Sequence, residues 1–332
     1  MFEKAIDFLA IGDTATDAFI RIKEASVHCV VNTEKCEICM RFGDKVPFDY
    51  VKIIKAVGNS ANAAVSAARL GLFSSLVTQL GDDQNGKDSL KNLDHERVHN
   101  KYVKIHKGKP TNYHFVLWYE ADRTILVNHI DYDYKFPSIK KAPKWIYLSS
   151  LGGNSLNYHE EIYKYLQENP NTKLCFQPGT FQMRLGIKKM QHFYKRSDVF
   201  VVNVEEAQGL LNTESRDIKE LLSELHAYGP KIVIITDGPK GAYMLDGEHF
   251  YFMPIYPDPK PPLERTGCGD SFASTFVCAL IYGKSPLEAL MWASVNPMSV
   301  VQYVGAQEGL LDKHHIEWYL EHAPEEFKPR EI

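Results

Sequence analysis

The chain of 332 residues is long enough for one large α/β domain or two smaller ones, and its 44% apolar content fits a soluble globular protein and excludes a disordered one. A net charge of −4 supplies no polycation for nucleic acid, and no uninterrupted apolar stretch reaches membrane-spanning length, so neither kind of partner is expected. No basic region leads into an apolar run at Met1-Phe2-Glu3-Lys4-Ala5-Ile6-Asp7, so six cysteines read as reduced thiols of a cytoplasmic protein.

In chain order, short apolar runs at 8–11, 76–80, 145–148, 174–176, 199–202 and 232–236 predict strands. Amphipathic segments at 60–70, 156–167, 205–211 and 218–227 predict helices, with Gly71 and Gly229 as stop signals. Towards the end only helices are expected, at 271–281, 286–302 and 312–320. This alternation implies right-handed βαβ units, a mainly parallel sheet covered on both faces, and ligands at the carboxyl ends of its strands. Residues 21–50 and 102–130 break the pattern, because they alternate in polarity, as in Tyr113-His114-Phe115-Val116-Leu117-Trp118-Tyr119. They predict a small antiparallel sheet, a lid over the mouth of the main domain at 1–20, 51–101 and 131–332.

The loops after the strands carry the polar residues. Gly12-Asp13-Thr14-Ala15-Thr16-Asp17 offers two carboxylates suited to a polyol, although turn formers alone would also produce such a loop. In Val57-Gly58-Asn59-Ser60-Ala61-Asn62, Asn59 or Ser60 could cap a helix. Asn62, an indifferent helix former one turn later, reads better as lining a pocket. Gly81-Asp82-Asp83-Gln84-Asn85-Gly86-Lys87-Asp88 nearly spells a phosphate-binding P-loop, but Asp88 cannot supply the hydroxyl that the loop gives to Mg²⁺. A polar connection between strand and helix is the better account. Asn203-Val204-Glu205-Glu206 and Thr236-Asp237-Gly238-Pro239-Lys240-Gly241 again follow strands, where Asn203 could cap a helix and Asp237-Gly238 could turn a hairpin.

The stretch Thr266-Gly267-Cys268-Gly269-Asp270 opens a long apolar helix. The first N–H groups of a helix lack internal partners and sit at the positive end of its dipole, so they can receive an anion, and glycines let it approach. An acid beside a phosphate binds it poorly, but it can serve as general base for a hydroxyl attacking that phosphate. The plainer alternative is an Asp at the start of an ordinary core helix.

In order, Gly-Asp-x-x-x-Asp, Gly-Asn-x-x-Asn, Gly-Asp-Asp-x-x-Gly, Asn-x-x-Glu, Thr-x-Gly-x-x-Gly and Thr-Gly-Cys-Gly-Asp resemble the ribokinase-like (PfkB-type) carbohydrate kinases over nearly the whole chain. The resemblance implies a Rossmann-like α/β fold with a β-sheet lid, and ATP- and Mg²⁺-dependent phosphorylation of a hydroxyl on a sugar, nucleoside or similar compound. It implies Asp270 as the base, with Gly267, Cys268 and Gly269 holding the transferring phosphate. It implies Asn203, Glu206, Thr236, Gly238, Gly241 and Asn296 at ATP, with Glu206 meeting Mg²⁺ through water. Asp13, Asp17, Gly58, Asn59 and Asn62 would bind the substrate. Ala15, Val57, Gln177-Pro178-Gly179 and Glu264-Arg265 depart from the family pattern. The last of these bears on a monovalent-cation site that some members build, so dependence on such an ion stays open.

Other features remain two-sided. Cys29, Cys36 and Cys39 with His28 could bind a structural metal, but strand positions three apart face opposite ways. Cys268 stands where a helix start lowers a thiol pKa, or where a small residue is needed. Lys101, Lys104, Lys107 and Lys109 could receive a phosphorylated sugar or form a solvated face. The aromatics of 113–119 could stack on a base, pack the lid, or join two lids in a homodimer. The sequence reading favours a small-sugar kinase, with a nucleoside kinase or a non-catalytic sugar or nucleotide sensor as alternatives.

Overall fold

The computed structural model describes residues 5–29, 36–120 and 122–332. From the start of the chain come β1 (Phe8–Ile11), β2 (Ala15–Ile22), β3 (Ser26–Cys29), β4 (Cys36–Cys39), β5 (Phe48–Val57), α1 (Asn59–Arg69), β6 (Ser74–Gly81) and α2 (Gln84–His95). Next are β7 (Val103–His106), β8 (Asn112–Tyr119), β9 (Asp122–Leu126), β10 (Trp145–Leu148), α3 (Leu156–Glu168), β11 (Lys173–Phe176), α4 (Thr180–Arg196), β12 (Val199–Asn203), α5 (Val204–Leu211) and α6 (Ile218–Ala227). Last are β13 (Ile232–Thr236), β14 (Ala242–Asp246), β15 (His249–Met253), α7 (Cys268–Ile281), α8 (Pro286–Val300), α9 (Lys313–Glu321) and β16 (Arg330–Glu331).

The large sheet has the order β16-β15-β14-β13-β12-β11-β10-β1-β6-β7. The run from β13 to β7 is parallel, and the other edge is antiparallel. Strand parity explains how it is covered. In β1, Phe8 and Ala10 join the core beneath α1, α7 and α8, whereas Leu9 and Ile11 join the core beneath α3 to α6. Both faces are therefore apolar, and the strands read as continuous hydrophobic runs. The fold is α/β and Rossmann-like, a mainly parallel sheet flanked by helices with a second, smaller sheet beside it.

The smaller sheet has the order β5-β2-β8-β9, with β2 and β8 parallel and the outer pairs antiparallel. Its strands come from 15–22, 48–57 and 112–126, whereas β7 lies at the edge of the large sheet. The polarity reading had set the first lid segment at 21–50 and put 103–106 in the second. Alternation is legible only where one face is wet, and most of β2 is buried on both faces.

Three further features have local causes. The chain does not end in helices alone, because β16 pairs with β15. Helix α2 is mostly polar and starts where Asp83 accepts from Gly86 N at 2.9 Å, so the near-P-loop segment is a capped helix start. Cys29 and Cys36 are not free thiols: they face one another across the β3–β4 hairpin and are joined by a disulfide. Cys39 lies opposite Ser26, so these cysteines do not converge on a metal. Among the described residues, no helix is long and apolar enough to cross a membrane.

Candidate active site

The carboxyl ends of β10, β11, β12 and β13, the inner face of the smaller sheet and the start of α7 enclose a cavity of about 720 Å³. A second cavity of about 460 Å³ lies on the far side of Cys268 and Gly269, walled by the turn after β13 and by α8. Arg123, Asn203, Thr236, Arg265, Cys268 and Gly269 line both. The start of α7 is thus the partition between two chambers.

That partition is built for close approach. Gly267 caps α7 at φ 83°, and a Cβ there would lie 2.2 Å from Ala306 Cβ. The N–H groups of Gly267, Gly269 and Asp270 make no hydrogen bond among the described residues, whereas Cys268 N reaches Arg265 O at 3.5 Å. Unsatisfied donors at a helix start form an anion-binding surface.

Asp270 stands beside it with both carboxylate oxygens engaged. Asn59 Nδ2 donates to Oδ1 at 2.7 Å, and Asn62 Nδ2 donates to Oδ2 at 2.8 Å. Asn62 is oriented by Gln307 Nε2, which donates to Asn62 Oδ1 at 3.0 Å and to Ala56 O at 2.7 Å. Burial pushes the Asp270 pKa above the ordinary carboxylate range, while the two amides and the Arg123 charge pull against it.

On the larger cavity's wall, Asp17 Oδ1 lies 3.2 Å from His114 Nδ1. Gly58 at φ 113° passes so near Asp13 O that a Cβ would come within 2.7 Å, so this single glycine still allows the close turn. Asp13 does not line the cavity: its Oδ2 accepts from Tyr134 Oη and Gly152 N, each at 2.7 Å. Burial raises its pKa to about 6. Asp13 Oδ2 anchors the return segment through Tyr134, while its Oδ1 is buried without a hydrogen-bond partner among the described residues.

Asn203 and Glu206 form a capping box on α5, with Asn203 Oδ1 accepting from Glu206 N at 2.7 Å and Glu206 Oε2 accepting from Asn203 N at 2.9 Å. Both side chains also line the larger cavity, so capping and cavity lining coexist. Burial raises the Glu206 pKa, and Asp270 and Glu205 add to the rise. Gly238 and Gly241 lie in the hairpin turn from β13 to β14 and wall the smaller cavity. Asn296 does not: it is fully buried, its Nδ2 donating to Thr275 Oγ1 at 2.8 Å and its Oδ1 accepting from Leu311 N at 3.0 Å. Both ends of that amide are used inside the helical core.

Burial pushes the Cys268 thiol up to about 12, against the reading of a thiol activated by the helix start. Lys104 and Lys109 donate to the carbonyls of Asp133 and Asp131, away from either cavity. The sequence reading missed Arg123, His114, His129 and Arg184, all on the larger cavity's wall. His114 was recoverable, since it shares strand parity with buried Val116 and Trp118.

A family model described as pfkB family carbohydrate kinase matches residues 27–313. A 5-dehydro-2-deoxygluconokinase of Clostridium tetani is 26% identical over 295 residues, covering 81% of this chain and 85% of its own. Arabidopsis thaliana ribokinase complexed with ribose and ATP superposes with a TM-score of 0.76 at 21% identity, over 96% of this chain and 99% of that one. A Methanocaldococcus jannaschii nucleoside kinase of the ribokinase family superposes at 0.73 and 17% identity, over 96% of this chain and all of the other (100%).

Proposed function

Because the chain belongs to the pfkB family of carbohydrate kinases and is a phosphotransferase acting on a hydroxyl, we propose that it phosphorylates a small free sugar from ATP, with Asp270 as general base. One observation carries the reading: a buried carboxylate, held at both oxygens, adjoins unsatisfied helix-start N–H groups on the wall between two cavities. ATP would occupy the smaller cavity, at Thr236, Gly238 and Gly241, with its γ-phosphate at 267–269. The acceptor would fill the larger one, against Asp17, Gly58, Asn59 and Asn62.

In this reading Asp270 takes the acceptor's proton as its oxygen bonds to the γ-phosphorus. The bond from that phosphorus to the β–γ bridging oxygen breaks, and ADP leaves with that oxygen. The N–H groups of Gly267 and Gly269 meet the charge on the transferring group, and alignment across the partition supplies most of the remaining acceleration. Glu206 fits Mg²⁺: its Oε1 makes no hydrogen bond among the described residues, and that ion takes one or two carboxylates with phosphates and waters. Bound there, Mg²⁺ would neutralise phosphate charge.

An ATP-consuming reaction fits the cytoplasm, where the exposed Cys29–Cys36 disulfide would meet a reducing pool. We also propose a homodimer through the lid. Ile53, Phe115 and Leu126 lie in one cross-strand row, each about half exposed, and offer an apolar face. The test is ATP consumption with Mg²⁺ over pentoses, hexoses, sugar acids, sugar phosphates and nucleosides, repeated with Asp270→Asn. Turnover on a free sugar that collapses by about 10²–10⁴-fold in the variant supports the reading. Turnover on nucleosides alone moves the substrate, and undiminished turnover removes Asp270 from its role.

A further inference from the structure

Gln307 lies in the turn between α8 and α9 and lines neither cavity, yet its amide reaches the base through one neighbour. The turn is held from outside. Arg69, the last residue of α1, donates from Nη1 to Gln307 O at 2.6 Å and to Leu310 O at 3.1 Å. The same guanidinium pairs with both carboxylate oxygens of Glu96, each at 2.8 Å, which fixes its plane. The Gln307 side chain is buried, and its Nε2 uses both donors, one on Ala56 O at 2.7 Å and one on Asn62 Oδ1 at 3.0 Å. Its Oε1 faces Asn92 Nδ2 at 3.5 Å.

This arrangement removes an ambiguity in Asn62. The two ends of an amide are nearly alike in size but opposite in hydrogen bonding, one donating and one accepting. Turned over, Asn62 would set Oδ1 against Asp270 Oδ2, acceptor against acceptor, and the carboxyl could bond to it only by keeping a proton. An acid in that form cannot take a second proton from a hydroxyl. Among the described residues the Asn62 side chain bonds only Asp270 and Gln307, so Gln307 decides between the two settings. The setting of Gln307 is decided in turn by Ala56 O, a main-chain carbonyl that can only accept. Polarity therefore runs one way, from that carbonyl through two amides to the carboxylate. The other groups around Asp270 leave Asn62 alone: Asn59 donates to Oδ1, Arg123 favours the charged form, and Glu206, Tyr147 and Cys268 feel its charge.

We propose that Gln307 is a positioning residue for the base: it fixes the Asn62 amide with its donor towards Asp270, and so keeps the carboxylate free to receive the acceptor's proton. The inference rests on the kinase reading above. The proton path is unchanged, from the acceptor hydroxyl to Asp270 as the acceptor oxygen bonds to the γ-phosphorus and the bridging oxygen leaves with ADP. Gln307 meets neither reactant and works through Asn62. Without it the donor towards Asp270 is no longer assured, the protonated form gains, and the base is lost first in acid.

The test measures kcat/KM against pH for wild type, Gln307→Met, Gln307→Asn, Asn62→Ala and the double variant Asn62→Ala, Gln307→Met, with ADP affinity and unfolding temperature on the same samples. Met keeps the length and removes both donors. Asn, one methylene shorter, keeps one donor in reach of the buried carbonyl and guards against misfolding of the first variant. We expect both Gln307 variants to lose roughly tenfold on the acid limb and less than about twofold on the plateau above it, with ADP affinity near wild type. In the Asn62→Ala background, Gln307→Met should move the limb no further. An unmoved acid limb in a Gln307 variant that folds and binds ADP as wild type does overturns the inference. So does a shift that recurs in full once Asn62 is alanine, because Gln307 would then act by another route. A wild type that binds ADP but phosphorylates no acceptor overturns the kinase reading itself, a result distinct from either.

Discussion

Two amides aimed at one carboxylate set the chemistry of the larger cavity. Asn59 and Asn62 hold Asp270 in place and favour its charged form, against burial, which favours the neutral one. A base must be ionised to work, so kcat/KM should rise with pH through the Asp270 pKa. Asn62→Ala deletes one stabilising donor, which raises that pKa further. Its acid limb should therefore move to higher pH, with the loss of activity largest in acid and shrinking as pH rises. A pH–rate profile that falls uniformly, with an unmoved limb, would mean that Asn62 acts only on the substrate. Residues of this kind were legible because Gly-Asn-x-x-Asn keeps its spacing on a helix. Arg123 was not, because nothing in its own segment reveals the buried Glu264 that it meets, 141 positions later.

At the scale of elements, α7 is the piece on which the site is hung. It is apolar almost all round, packs between α1 and α8, and buries every residue from Asp270 to Ala279. Its start is fixed by a left-handed glycine pressed against Ala306. Gly267→Ala should cost about 1–2 kcal/mol for the backbone alone, and more for the contact with Ala306. We expect an unfolding temperature lower by several degrees, at roughly 2–4 °C per kcal/mol, and a kcat loss beyond what that destabilisation explains. Calorimetry and kinetics on the same sample check it; wild-type values in both would show that the turn relaxes freely. Strands buried on both faces were readable as apolar runs, and α7 as an apolar helix. Helix α4 escaped notice because Gly186, at φ 76°, interrupts its pattern midway.

At the scale of the molecule, the two sheets divide the work. The large one, with its helices, carries the core and most of both cavities, and its βαβ order follows from the alternation of elements along the chain. The smaller one has one wall on the site and an apolar outer face. If a second copy covers that face, Phe115→Glu should shift the protein towards monomer in sedimentation at micromolar concentration, because a buried unpaired charge opposes association. A wild type that sediments as a monomer at every concentration would remove the dimer. The register of that sheet was hidden in the sequence, since a parallel β2–β8 pair joins segments about 100 positions apart that no local turn aligns.

The uneven sharing of walls has a kinetic consequence. Asp17, His114, Arg123 and Ile125 of the smaller sheet wall the larger cavity, and Arg123 alone walls the smaller. Were that sheet to swing away, the larger chamber would lose one whole side and the smaller a single side chain. The residence times of the two ligands would then be set by different events, acceptor and product leaving at the pace of the sheet, and the nucleotide at the pace of its own contacts.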